Sequence, residues 1–391
     1  MSKKKISNKI PDTNEDFDFA PPALSPKIFN MSENMEDKYE ETVQADDFGI
    51  LEDYSFLSAT SSTELLEENT AISSISVGFV GVGGAGNKMA KAFLDIGFNK
   101  TILVNTTGKD IPKDIDEKNV VLIPNSDGIG KDIRLGKSVF ETNSAVVEDA
   151  LRTKLGKVDW LFVLAGGGGG TGSSVIALQE TFERYMKSSQ AEGNVIYIVS
   201  WPGAQELLNP TIAKNALSLL NDVTPYTHIV IDNERQLRLL RNQVGMLGLY
   251  PKANDSVAKL LAQILKLSTE ISPVQSYDSR DLQTCLEYDG RMFIGSTIIQ
   301  DPNTSKLGSL ILQNCLNVSA CPPPKGKSKT GTLLLVVSED MVNDPSISKH
   351  LEAAIAYVGG RTETLFSGVY VRKNTPGLVA ILTMNGLPKG A

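Results

Sequence analysis

Gly166 to Gly170 is an unbroken run of five glycines, followed by Thr171-Gly172-Ser173-Ser174. Without Cβ atoms, backbone N–H groups can crowd toward one point. Such a nest at a helix start binds anions, phosphate above all. The hydroxyls of Thr171, Ser173 and Ser174 add donors. A second loop, Gly81-Val82-Gly83-Gly84-Ala85-Gly86-Asn87, offers the same chemistry and fits the G-x-G-x-x-G dinucleotide fingerprint. That fingerprint expects an acid at the end of the next strand to hold a ribose hydroxyl. Here the next strand ends in Asn105-Thr106-Thr107, which disfavours a nicotinamide cofactor. Neither lysine-bearing candidate is a P-loop: Gly130-Lys131 runs into Asp132, and Gly326-Lys327-Ser328 has Cys321 where the first glycine belongs. Asp278 and Asp281, three apart, share one face of a helical turn. Beside a phosphate they could orient and deprotonate a water; taken alone they read as helix N-caps.

These residues need elements to position them. Trp160–Ala165 is an apolar run that fits a buried strand, and the pattern from Val175 fits a helix. Strands are predicted at Val77–Val80, Thr101–Val104, Val120–Ile123, Val195–Val199 and His228–Ile231. Between them the periodicity predicts helices reaching Leu94, from Leu135 to Leu151, and over 210–221. Strand–helix alternation implies a parallel sheet with its ligand loops at the carboxyl ends of the strands. Residues 252–270 form a long helix whose apolar positions 257, 260, 261, 264, 265 and 267 make a wide stripe, as packing between two bodies requires; Pro273 ends it. Strands near 291–299, 332–337, 366–372 and 377–384 with helices near 304–316 and 345–358 make a smaller α+β domain. Residues 317–331, with Pro322 to Pro324 and several lysines, read as an exposed loop.

The first 74 residues differ from the rest. They hold six lysines against sixteen acids, a charge of −10, while the whole 391-residue chain carries −8. The remainder is therefore about +2, and the acidic excess belongs to the tail, which reads as disordered. Two patches there, Phe17-Asp-Phe19 and Phe48-Gly-Ile-Leu51 with Tyr54 and Phe56, fit a partner-binding motif and a solvated spacer equally. The tail lacks the apolar content to build a core and is expected to be dispensable for folding. The acidic balance argues against nonspecific nucleic-acid binding. No run of 18 apolar residues predicts a membrane span, and the basic N-terminus lacks the apolar segment of a secretory signal. Cys285, Cys315 and Cys321 have neither metal-ligand nor disulfide-framework spacing, which fits a reducing cytoplasm. His228 and His350 stand apart without motif context and read as core or surface residues.

From about residue 75 to 391, the ordered set of motifs resembles the tubulin/FtsZ superfamily. Gly168-Gly169-Gly170-Thr171-Gly172-Ser173 resembles the tubulin signature GGGTG[ST]G, with Ser174 at the final glycine. Gly81 to Asn87, including Gly83, Gly84 and Ala85, resembles the family's first phosphate loop, and Asn105-Thr106 its second. Glu206 falls where the family has a ribose-binding acid, with Pro210 in place of the arginine four residues on that bacterial division proteins carry. Asn233 matches the base-contacting asparagine; Tyr250 and Asn254 match the aromatic that stacks on guanine and the asparagine that reads its edge. Ser276-Tyr-Asp278-Ser-Arg-Asp281 resembles the acidic synergy loop, Ser276 replacing an asparagine.

The resemblance implies an α/β fold: a Rossmann-like parallel-sheet GTP-binding domain over 75–250, a core helix over 251–272, and a smaller α+β domain over 273–391 behind the 1–74 tail. It implies a GTPase that assembles head to tail, with Mg²⁺ arriving on the nucleotide phosphates and Asp278 and Asp281 of one subunit acting on GTP held by the next. The absence of an anchor peptide after the last strand and the pattern Pro202-x-x-x-Glu206-x-Leu208 look closer to plasmid and phage tubulins than to division proteins. The expected partners are copies of the chain itself and an adaptor met by the tail, with no direct DNA or membrane contact.

Overall fold

The computed structural model describes residues 71–241, 244–373, 375 and 377–388; the predicted tail motifs near Phe17 and Phe48 lie outside them. In chain order the elements are β1 (Val77–Val82), α1 (Gly83–Asp95), β2 (Thr101–Asn105), β3 (Val120–Leu122), α2 (Ile133–Thr142), α3 (Ser144–Ala150) and β4 (Trp160–Gly166). Then come α4 (Gly170–Ser173), α5 (Gln179–Ser188), β5 (Val195–Trp201), α6 (Ala204–Leu207), α7 (Pro210–Val223), β6 (His228–Asp232), α8 (Asn233–Leu240) and α9 (Leu249–Leu267). The chain continues through α10 (Ser279–Leu286), β7 (Arg291–Ile299), α11 (Leu307–Val318), β8 (Ser328–Val337), α12 (Glu339–Asn343), α13 (Pro345–Gly359), β9 (Thr362–Val371) and β10 (Leu378–Leu387).

The strands form one ten-stranded sheet in the order β3-β2-β1-β4-β5-β6-β7-β10-β8-β9. β10 alone runs against the other nine, pairing antiparallel with β7 and β8. β6 and β7 join the two halves through His228↔Arg291 and Ile229↔Met292. The central strands β1, β4 and β5 are apolar and buried almost throughout because helices cover both sides. In β4, Leu161, Val163 and Ala165 pack in one core with Phe140, Phe182 and Leu219. Trp160, Phe162 and Leu164 point the other way, into a core with Phe93, Leu261 and Leu265. The period-two alternation of side chains puts neighbours of one strand into different cores.

α9 buries all six stripe positions, together with Ala253 and Ala258. It begins at Leu249, earlier than predicted, because a proline in the first turn removes an N–H that no helical carbonyl needs; Pro251 occupies that turn. It ends at Leu267, where the Ser268 hydroxyl donates back to Leu265 O at 2.6 Å.

Three expectations are corrected. The helix predicted over 135–151 breaks at Asn143, whose Nδ2 donates to Val139 O at 2.8 Å, competing with the backbone ladder. The helix after the glycine run comes as a four-residue turn, a tighter turn over Val175–Leu178, and α5 only from Gln179. The stretch 317–331 is not an exposed loop throughout: Cys321, Ser328 and Thr330 are buried, β8 starts at Ser328, and the exposed residues are Asn317, Lys325, Gly326, Lys327 and Lys329.

Candidate functional site

The two glycine loops leave the carboxyl ends of neighbouring strands, β1 and β4, and pack against each other. Gly83 has φ +73°, a left-handed conformation suited to glycine, and a Cβ there would stand 2.7 Å from Gly172 N. A Cβ on Gly172 would stand 2.6 Å from Gly166 O, and one on Gly86 would overlap Leu164 O. These glycines exist so that backbones can touch. Gly169 is different: nothing lies within 4 Å of its Cβ position, and the residue is exposed. Gly84 and Ala85 likewise border solvent, while Gly168 is half-buried beside Ile212 and Pro202. The glycine surface thus has a packed underside and an open top.

Asn105 and Thr106 close one flank. The Asn105 side chain accepts from Thr106 N at 2.8 Å, and the Thr106 and Thr171 hydroxyls lie 2.9 Å apart, joining the β2 loop to α4. Ser173 is fully buried, with its hydroxyl near Gly166 O. Ser174, the residue at the signature's final glycine, puts its hydroxyl 2.7 Å from Gly170 O and 3.0 Å from Ile133 O. Gly136 stands opposite, where any Cβ would collide with that hydroxyl. The exchange of glycine for serine is therefore accommodated by a glycine on α2. Asn87 is fully buried with neither amide atom hydrogen-bonded to the described residues, and Asn105 Nδ2 is in the same state. Orphaned buried polar atoms cost about 1–3 kcal/mol each.

A second cluster lies past β5 and β6. Glu206 is exposed and accepts from Gly203 N at 2.9 Å. Asn233 opens α8 and accepts from the Ser200 hydroxyl at 3.1 Å, while Gly167 N donates to Ser200 O at 3.0 Å. Ser200 thereby links this cluster to the glycine run. Tyr250 sits on the first turn of α9, 41% exposed. Burial pushes its phenol pKa up, and the negative charges of Glu206 and Glu234 add to the shift. Asn254 follows one turn later on α9, half-buried. The structure thus brings Glu206, Asn233, Tyr250 and Asn254 to the edge that carries the glycine loops.

Sequence reasoning overlooked two parts of this edge. Glu234 accepts from Ala204 N at 3.2 Å, beside Glu206. Gly130 O accepts from Gly170 N at 2.8 Å, and Lys131 O accepts from Asn215 Nδ2 at 3.0 Å, so the 128–132 loop is strapped against the glycine run. Its signal was present as a glycine pair after a strand, in a sheet whose other strands end in glycine loops.

Asp278 and Asp281 lie elsewhere. Asp278 caps α10, accepting from Arg280 N at 2.8 Å and Asp281 N at 3.0 Å, and Asp281 accepts in return from Asp278 N at 3.3 Å. Partial burial raises the Asp281 carboxyl pKa; the Asp278 N–H opposes the shift and the Asp278 charge adds to it. α9 separates Tyr250 from the segment that leads to these acids. Its 19 residues span about 28 Å. Tyr250 is at one end; at the other, the Ser268 hydroxyl meets that of Ser74, just ahead of β1, at 2.6 Å. The acids follow the far end. A separate cavity between α8, α9 and β7, lined by Gln236, Leu240, Val257 and Ile294, contains none of these residues.

No protein-family model matches the chain. A tubulin-like protein CetZ of Methanothrix thermoacetophila is 24% identical over 317 residues, covering 78% of this chain and 82% of that one. A GTPγS-form protofilament structure of TubZ from Bacillus thuringiensis serovar israelensis superposes with a TM-score of 0.68 at 19% identity, covering 82% and 89%. The chain has the tubulin/FtsZ fold. An FtsZ dimer from M. jannaschii, at 20% identity and a TM-score of 0.60 over 79% and 87%, shares the same architecture. The tubulin/FtsZ fold accounts for the order of elements: a parallel-sheet half, the core helix α9, and a half built around β7 to β10. Among the described residues no helix is long and apolar enough to cross a membrane, and no group of three or more His, Cys, Asp or Glu could hold a metal ion.

Proposed function

We propose that this chain binds and hydrolyses GTP and assembles head to tail into filaments, of the cytomotive kind that move or position phage or plasmid DNA. One observation supports the proposal: α9, about 28 Å long, has Tyr250 and the edge with the glycine loops at its start, while the chain leading to the Asp278 and Asp281 carboxylates leaves its far end. Within one chain neither half can act on the other; stacked copies bring them together. Exposed apolar residues mark both ends, with Leu208, Met246 and Leu247 near the Tyr250 end and Ile271 and Val274 near the acids. Such side chains are what a subunit contact would cover.

In this reading the open tops of Gly84, Gly168 and Gly169 and the Thr171 hydroxyl receive the phosphates, with Mg²⁺ carried on them. The Asn87 and Asn105 amides supply further polar contacts on a small rearrangement. Glu206 takes the ribose, Tyr250 stacks on the base, and Asn233 and Asn254 read its edge. A carboxylate of the next subunit orients and deprotonates the water that attacks the γ-phosphorus, and the bond to GDP breaks as backbone amides hold the developing charge. The relatives fit: TubZ crystallises as a GTPγS-form protofilament, and a second such structure is CetZ2 of Haloferax volcanii. A division-ring role is the alternative, in keeping with the FtsZ likeness. Labelled filaments that track plasmid or phage DNA rather than the division site would separate the two.

The first test is sedimentation with electron microscopy. Filaments are expected with GTP and not with GDP or ATP; GTP-independent pelleting or its absence under all nucleotides overturns the proposal. The base assignment has its own test. A site that hydrogen-bonds base edges rejects analogues that leave its groups unpaired, so GTP should bind far more tightly than ATP. Changing Tyr250 to Ala should weaken GTP binding by about 1–3 kcal/mol if it stacks on the base. Equal affinity for GTP and ATP would remove Asn233 and Asn254 from that role.

A further inference from the structure

The acids sit on an exposed rim, yet the chain just ahead of them is pinned at several points. Between the end of α9 and Tyr277 runs the segment 268–276. The Tyr370 hydroxyl, on β9, donates to Leu267 O at 2.7 Å and accepts from Tyr277 N at 3.1 Å. It therefore touches the backbone on both sides of the segment. Tyr277 O lies 3.2 Å from the same hydroxyl. Tyr370 is 1% exposed and Tyr277 fully buried. Tyr277 Oη accepts from the Thr332 hydroxyl at 3.3 Å, and Thr332 lies 3.1 Å from Cys285 Sγ on α10. The residue next to Tyr370 holds the middle of the segment: Val369 N donates to Gln275 O at 2.8 Å, and Ser272 Oγ donates to Val369 O. Inside the segment Ser276 Oγ accepts from Ser272 N at 2.9 Å.

We propose that the Tyr370 hydroxyl is a positioning group for hydrolysis, clamping both ends of the 268–276 segment so that Asp278 and Asp281 are presented in one fixed place. The inference rests on the hydrolytic role assigned to those acids above. The Val369 bonds hold the middle of the segment, while the Tyr370 hydroxyl holds the backbone at Tyr277, the residue directly before Asp278, and a general base must sit within hydrogen-bond reach of its water. An ångström of misplacement costs up to about 10²-fold in rate. A phenylalanine would fill the same volume, so packing alone does not call for the hydroxyl.

The test uses the full chain with Tyr370→Phe, Asp281→Ala and the double variant. GTP turnover per subunit in filaments, GTP affinity of the monomer and amide exchange over residues 268–278 are measured for each. Tyr370→Phe should exchange faster over 268–278, bind GTP as before, and turn over about 10- to 100-fold more slowly. The double variant should be no slower than Asp281→Ala alone, since the clamp acts only through the acids. Full turnover in Tyr370→Phe with Asp281→Ala impaired overturns the proposal, as does unchanged exchange or a double variant slowed by the product of the two effects. Full turnover in Asp281→Ala instead overturns the role of the acids, and the clamp's role with it.

Discussion

Replacing Asp281 with Ala is expected to lower GTP hydrolysis by about 10²–10⁴-fold, the usual worth of a positioned general base, and to leave GTP binding by the monomer intact. The glycine loops at 81–87 and 168–173, which hold the nucleotide in the proposed function, belong to the edge near the start of α9, whereas Asp281 follows the end of that helix, about 28 Å long. Asp281 is the better probe of the two acids because Asp278 also caps α10, and losing an N-cap costs about 1 kcal/mol by itself. Asp281→Asn keeps an acceptor for Asp278 N and removes the base, so it should lose the same activity with α10 undisturbed. Filaments of either variant should persist, since the nucleotide at each contact stays GTP. In the unmutated protein, turnover per subunit should rise with protein concentration if, as proposed, an isolated monomer holds half a site. Turnover that is independent of concentration, or normal in Asp281→Ala, would place the catalytic groups within one chain.

The second large effect separates glycines that shape the fold from glycines that face a ligand. Gly86→Ala should lower the melting temperature sharply and abolish GTP binding. Its new methyl would overlap Leu164 O, a backbone atom of the central strand β4, so α1 must lift off the sheet. Overpacking in a tight core typically costs about 1–3 kcal/mol or more, and here the opposing atom belongs to a strand paired on both sides. Gly169→Ala should leave the melting temperature unchanged, since nothing lies within 4 Å of the new atom. If the open top of the run carries phosphate, the same methyl should weaken GTP binding measurably. Calorimetric melting and equilibrium binding on both variants decide the matter. A Gly169→Ala protein that binds GTP normally would remove that residue from the phosphate cradle, and a stable Gly86→Ala protein would show that α1 and β4 have room the structure does not give them.

Much of this protein is legible in the sequence because its signals are local. Glycine runs between apolar strands and periodic helices specify a nest at a strand's carboxyl end, and an apolar stripe at 257, 260, 261, 264, 265 and 267 specifies a helix buried on a wide face. Alternation of strands and helices implies a parallel sheet, and nine of the ten strands do run one way. Local signals fail where a single side chain redirects the backbone, as Asn143 does between α2 and α3, or where a strand is lengthened by its partners, as β8 is by pairing Ser328 with Thr362.

What only tertiary structure decided is adjacency. Spacing along the chain cannot show that Gly136 leaves room for Ser174, that Gly130 O straps the glycine run, that Glu234 and Glu206 accept from the neighbouring N–H groups of Ala204 and Gly203, or that Tyr370 reaches Leu267 and Tyr277 across 103 and 93 residues. Nor could the sequence separate the capping role of Asp278 and Asp281 from a catalytic one, since the same two carboxylates at the same spacing serve both. The residue types determined which chemistry is available; the length and placement of α9 determined that Tyr250 and the chain leading to Asp278 stand at opposite ends of one helix, because a rigid helix holds its ends apart.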